Sequence, residues 1–112
     1  MSFKVENKNN YTIITSKVEK LNTLVAPELK EIVSELGNEG KNNILIDLSN
    51  TSYCNSSGLS AILSANRLCK DTNGKFVLCG LQPNVQKMIE IAQLHRVFNI
   101  KDTLLEAEKE MQ

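Results

Sequence analysis

Tryptophan is absent, and aromatic residues supply only 4% of the 112 residues. Domains that hold single-stranded nucleic acid stack bases on aromatic side chains, and this chain has few to offer. It also lacks an excess of charge. Thirteen Lys and Arg balance thirteen Asp and Glu, and the cations are scattered. A phosphate backbone or an anionic membrane calls for a cationic face, so neither nucleic acid nor direct membrane insertion is expected. The single histidine, His95, excludes a His-rich metal centre. Cys54, Cys69 and Cys79 are odd in number, widely spaced and form no Cys-x-x-Cys. They suggest neither zinc nor a redox dithiol. Each lies beside apolar residues and reads as a reduced, buried small hydrophobe. No apolar run reaches the length of a signal peptide or a bilayer span, which places the protein in the cytoplasm. No cofactor motif is found.

What remains is an ordinary globular composition, 41% hydrophobic and 23% charged, at a length suited to one domain over residues 1–112. Phe3-x-Val5 and Tyr11-x-Ile13 alternate around Asn7-Lys8-Asn9-Asn10, the pattern of a hairpin with a polar turn. Pro27 opens a helix whose stripe is Leu29, Ile32, Val33 and Leu36, with Gly37 placed to end it. Ile44-Leu45-Ile46-Asp47-Leu48 is nearly continuous apolar sequence, as in a central strand covered on both faces. Leu59, Ile62, Leu63, Asn66 and Cys69 predict a helix from about 57 to 71. Asn73-Gly74 marks a turn before the strand Phe76-Val77-Leu78-Cys79. A third helix begins at Pro83 or Asn84. A strand Val97-Phe98-Asn99-Ile100 and a last helix from Asp102, carrying Leu104, Leu105 and Met111, complete the chain.

The order β-β-α-β-α-β-α-β-α implies an α/β fold: a mixed sheet of about five strands with four helices. In such sheets ligands meet the loops beyond the strand C-termini. Ser49 to Gly58 forms such a loop and ends at a helix start. There Asn55-Ser56-Ser57-Gly58 places small polar residues where backbone N–H groups lack partners. Simple capping accounts for Asn and Ser at this position. A Ser hydroxyl at a positive helix end is also a place for a phosphate, which free amides and the helix dipole stabilise.

Other constellations carry less. Gly37-Asn38-Glu39-Gly40-Lys41-Asn42 is too short between its glycines for a phosphate loop and lacks Ser or Thr after the Lys. Ser56 and Ser57 stand outside any Gly-x-Ser-x-Gly. A serine hydrolase or transferase lacks a base near Ser56, an orienting acid and a cofactor motif, so no catalytic residue is assigned. Glu106, Glu108 and Glu110 mix with Lys109 and read as a solvated terminal face.

Asp47-Leu48-Ser49, Asn55-Ser56-Ser57-Gly58-Leu59 and Gly74-Lys75-Phe76-Val77-Leu78-Cys79-Gly80 resemble the STAS domain of anti-sigma factor antagonists. Val85-x-x-Met88-x-x-Ile91 and Leu94-x-x-Val97-Phe98 resemble its third helix and last strand. The resemblance spans roughly residues 3 to 111. It implies a cytoplasmic switch, not an enzyme. Unphosphorylated, such a domain binds an anti-sigma factor that is also a GHKL-type Ser/Thr kinase, which frees the sigma factor. The kinase then phosphorylates the first Ser of the loop, here Ser56, and a PP2C-type phosphatase restores the hydroxyl. Asn22, Asn55, Ser56, Ser57, Gly58 and Leu59 are the implied partner contacts, on a monomer by default. Two positions depart from the pattern: Asn55 and Asn22 stand where the family commonly has Asp. They leave open an alternative, a constitutive STAS adaptor subunit, for example of a lipid-transporting ABC complex, that works without phosphorylation.

Overall fold

A computed structural model describes residues 2–112. The chain runs β1 (Phe3–Asn7), β2 (Thr12–Ser16), β3 (Lys20–Leu21), α1 (Ala26–Asn38), β4 (Ile44–Asp47), β5 (Tyr53–Cys54), α2 (Ser56–Asp71), β6 (Phe76–Cys79), α3 (Pro83–Ile91), β7 (Asn99–Lys101) and α4 (Leu104–Met111). Five strands form one mixed sheet in the order β1-β2-β4-β6-β7. Only the β1–β2 hairpin is antiparallel; the other neighbours are parallel. The expected mixed α/β architecture is therefore the one observed.

The apolar run of β4 has the cause expected of it. Ile44 and Ile46 point into a core shared with α1, α2 and α3, together with Ile14, Phe76 and Leu78. Leu45 points the other way, with Ile13, Val77 and Cys79, under Ala107 and Met111 of α4. A strand covered on both faces has no use for alternation. Each fully buried Leu or Ile contributes about 1.5–3 kcal/mol relative to exposure.

Four details differ from the sequence reading. Gly37 does not end α1 but lies inside it. A Cβ there would come 2.9 Å from Leu68 Cδ1, the end of a flexible side chain at the contact of α1 with α2. Gly40, at φ +76°, ends the helix instead. The Lys41 N–H reaches Leu36 O (2.9 Å) and the Gly40 N–H reaches Gly37 O (3.0 Å), a Schellman closure. The last strand begins at Asn99 rather than Val97. The amides of Val97 and Phe98 are both committed to Leu94 O at 2.9 Å, in a 3-10 turn over Leu94–Arg96, and cannot join a ladder. In α4, Leu105 is 67% exposed and Ala107 takes the inward position. Finally, β3 and β5 form an unanticipated two-stranded parallel sheet, with Leu21 opposite Cys54.

Candidate functional site

The loop after β4 is stitched down before it reaches α2. Asp47 Oδ1 accepts the Ser49 N–H at 2.9 Å, and the Gln82 amide donates to Ser49 O at 2.8 Å. Gly80, at φ +72°, lies so close that a Cβ would stand 2.9 Å from Ser49 Cβ and 3.0 Å from Asp47 Oδ1. Asp47, Ser49 and Gly80 thus form a turn lock rather than a reactive group. Thr51 is fully buried; its hydroxyl donates to Val18 O (2.7 Å) and meets Ser16 Oγ (2.7 Å). The Ser52 N–H bonds Glu19 O, and the Asn55 N–H bonds Leu21 O at 3.2 Å. The start of α2 is therefore referenced to the segment from Ser16 to Leu21.

Asn55 is the N-cap of α2, in extended conformation, and its Oδ1 accepts the Gly58 N–H at 3.1 Å. A capping side chain at this position is worth about 1 kcal/mol over alanine. Asn22 performs the equivalent service before α1. Its Oδ1 accepts the Leu24 N–H (3.0 Å) and its carbonyl accepts the Ala26 N–H (2.8 Å). Both asparagines hold backbone turns that a carboxylate oxygen holds equally well, so exchanging acid for amide alters charge and preserves geometry.

The two turns are joined by Thr23 Oγ1 and Ser57 Oγ, 3.1 Å apart. Ser56 occupies the first helical position and is exposed. Asn55 serves the cap and Ser57 is engaged by Thr23, while Ser56 lines a shallow pocket of about 330 Å³. Thr23, Ala26, Pro27, Lys30, Ser57 and Ser60 line the pocket with it. Lys30 is the one charged residue among these, and no carboxylate lines the pocket. The amides of the first turn add the partial positive charge of a 16-residue helix.

Gly58 is buried: a Cβ would lie 2.4 Å from Leu21 O and 2.8 Å from Cys54 Sγ. Leu59 is only 6% exposed and belongs to the main core. In the free domain both seat the helix, where α2 passes close to β3 and β5. Two surface residues escaped the sequence reading. Leu24, near Asn22, is 88% exposed, and Tyr53, on β5 within the Ser49-to-Gly58 segment, is 45% exposed. Nothing in the local pattern distinguishes an exposed Leu from a core one, so neither was legible beforehand.

The cysteines are free and buried. Burial pushes the thiols of Cys54 and Cys79 up to about 12, with nearby Asp47 and Glu108 adding to the effect at Cys79, and that of Cys69 to about 11. They remain protonated and unreactive at neutral pH. His95 is exposed on the 3-10 turn and is not among the residues lining the Ser56 pocket. Among the described residues, no cluster of His, Cys, Asp or Glu is arranged for a metal, and no helix is long and apolar enough to cross a membrane.

Residues 3–107 match the STAS domain family. The anti-sigma-B factor antagonist of Staphylococcus aureus is 22% identical over 83 residues, 74% of this chain and 77% of that protein. A crystal structure of a candidate anti-sigma factor antagonist from Thermotoga maritima superposes with a TM-score of 0.86 at 25% identity, covering 97% of this chain and 93% of that one. The Bacillus cell fate determinant SpoIIAA shares the fold at 19% identity. Its unphosphorylated form gives a TM-score of 0.82 over 96% of this chain and 94% of its own. Its phosphorylated form gives 0.77 over 98% and 99%. The family match spans nearly the whole chain and the fold agrees with it, and the chain belongs to the STAS domain family.

Proposed function

We propose that this protein is an anti-sigma factor antagonist gated by a phosphate on Ser56. The observation that carries the reading is the division of labour at the mouth of α2. Asn55 and Ser57 take the structural bonds, and Ser56 between them is left exposed. The relatives named as antagonists support the class of partner. SpoIIAA, known in phosphorylated and unphosphorylated forms, supports the kind of control.

In the unphosphorylated state the pocket around Ser56 carries no acid and a single cation, Lys30, and Leu24 stands exposed in the turn after Asn22. It binds an anti-sigma factor that is itself a Ser/Thr kinase, and a sigma factor is released. Transfer of a phosphoryl group to Ser56 Oγ adds about −1.5 to −2 charges. Within this domain the helix amides and Lys30 accommodate the dianion. In the complex the same charge is desolvated against a surface built for a hydroxyl, and an unpaired interfacial charge costs several kcal/mol. The complex dissociates, and a PP2C-type phosphatase restores binding. The domain is substrate and switch, not catalyst.

The absence of carboxylates at Asn22 and Asn55 favours a well-held phosphate, since neighbouring like charge is reduced. It is equally the feature that a constitutive adaptor would show. Intact-mass measurement of the protein isolated from its own cell separates the two. The switch predicts a species heavier by one phosphate in wild type and missing from Ser56→Ala. A wild-type protein without phosphate under every growth condition overturns the gating and leaves the adaptor.

A further inference from the structure

β1 is an edge strand: β2 lies on one side, and no strand of the described residues lies on the other. Two bonds fix the phase of the hairpin ladder, from the Lys17 N–H to Ser2 O (2.9 Å) and from the Lys8 N–H to Tyr11 O (2.8 Å). Antiparallel pairs alternate. Ser2, Lys4, Glu6 and Lys8 therefore turn their backbone groups toward β2, and Phe3, Val5 and Asn7 turn theirs outward. Three N–H and three C=O groups stand unpaired in a row, the template onto which another strand adds.

The side chains of Phe3 and Val5 lie on the α1 face of the sheet. Phe3 is in the core, and Val5 is 39% exposed. Beside them runs a groove of about 610 Å³, floored by Phe3, Val5 and Ile32 and flanked by Glu28, Glu31 and Glu35 of α1. These glutamates recur at three- and four-residue spacing along one side of the helix. None is in a salt bridge among the described residues. Of the two lysines on the strand side, Lys4 is already held by Glu6 at 3.9 Å, which leaves Lys17 against three carboxylates.

We infer that the free edge of β1 receives, as a sixth strand, an extended segment of another protein in which an apolar residue is flanked at two positions on either side by Lys or Arg. The backbone pairs with Phe3, Val5 and Asn7. The apolar side chain meets Val5 and Ile32, and the cations meet the glutamate row. A second copy of this chain fits less well, because pairing β1 with itself sets one row of glutamates facing the other. The Ser56 pocket uses Ala26, Pro27 and Lys30, on the opposite side of α1, so the two surfaces can be occupied together and the inference stands apart from the switch.

The test is a titration of the isotope-labelled protein with the peptide acetyl-Thr-Lys-Thr-Val-Thr-Lys-Thr-amide, followed by amide NMR. Shifts and slowed exchange are expected at Phe3, Val5 and Asn7, with shifts along Glu28 to Glu35. Val5→Pro deletes an outward N–H that the ladder does not use, so it spares the fold and should abolish the response. Glu31→Lys with Glu35→Lys should weaken binding about fivefold, as expected for loss of two exposed ion pairs. Three results overturn the proposal: no response at millimolar peptide, an equal response to the peptide with Glu in place of Lys, or sedimentation showing a dimer of the free protein that Val5→Pro dissociates, which assigns the edge to a second copy.

Discussion

Asn55 and Gly58 are joined across the first turn of α2 by a 3.1 Å hydrogen bond from the Gly58 amide to the Asn55 side chain. That bond relieves the neighbouring serine of a capping duty. It also makes the site sensitive to mutation in two distinct ways, one through the cap and one through the glycine.

Removing the cap in Asn55→Ala should cost about 1 kcal/mol of folding stability. Asn55→Asp should stay within about 0.5 kcal/mol of wild type, because a carboxylate accepts the same bond. Urea denaturation read by circular dichroism measures both. An alanine variant as stable as wild type would mean the cap bond is not formed in solution.

Gly58→Ala should destabilise by about 1–3 kcal/mol, the usual cost of forcing an extra group into a packed interior. The Cβ would meet the Leu21 carbonyl and the Cys54 sulfur, and that carbonyl belongs to the backbone of β3, which is paired with β5. Ser57→Ala loses only an exposed hydroxyl contact and should change stability by less than about 0.5 kcal/mol. The contrast between adjacent positions is read from thermal melts of the two variants.

The thiols give a pH prediction. Cys54 and Cys79 have folded values of about 12 against an ordinary 9.0, raised by burial. As pH climbs past 9 the unfolded chain releases these protons while the folded chain keeps them. Stability is therefore full below pH 9 and declines between pH 9 and about 12. Urea midpoints at pH 8 and pH 10.5 should fall in that order. A colorimetric disulfide reagent at pH 8 should report no accessible thiol until the protein is unfolded.

Leu24→Ala should leave the melting temperature unchanged, since the side chain is 88% exposed. In the proposed complex it should lower affinity for the kinase by about 1–2 kcal/mol, as truncation of an apolar anchor does. Isothermal titration of wild type and variant measures this. Unchanged affinity would exclude the turn from Asn22 to Leu24 from the interface.

The sequence was most legible where one physical demand dominated. Ile44 to Leu48 had to be a doubly covered strand. Asn55 and Ser56 had to stand at a helix start, because small polar residues preceded a clear apolar stripe. It was least legible where partners distant in the chain decided the outcome. Gly37 sits within α1 against Leu68 of α2, a neighbour 31 residues away. Leu94 O claims the two amides that a strand at Val97 would have needed. β3 and β5, two residues each, are too short for any periodicity to register. Leu59 was read in two ways, as the first residue of the apolar stripe of α2 and, through the family resemblance, as a partner contact; its burial in the core agrees with the stripe.

The most direct measurement of the central claim compares one protein in two states. The domain is phosphorylated to completion by an anti-sigma factor kinase of its own organism. The site is mapped by fragmentation mass spectrometry, and binding to that kinase is titrated before and after. The account predicts phosphate on Ser56 alone, tight binding before modification, and loss of at least about 100-fold in affinity after it, the scale of an unpaired interfacial charge. Phosphate on another residue, or equal affinity in the two states, contradicts it.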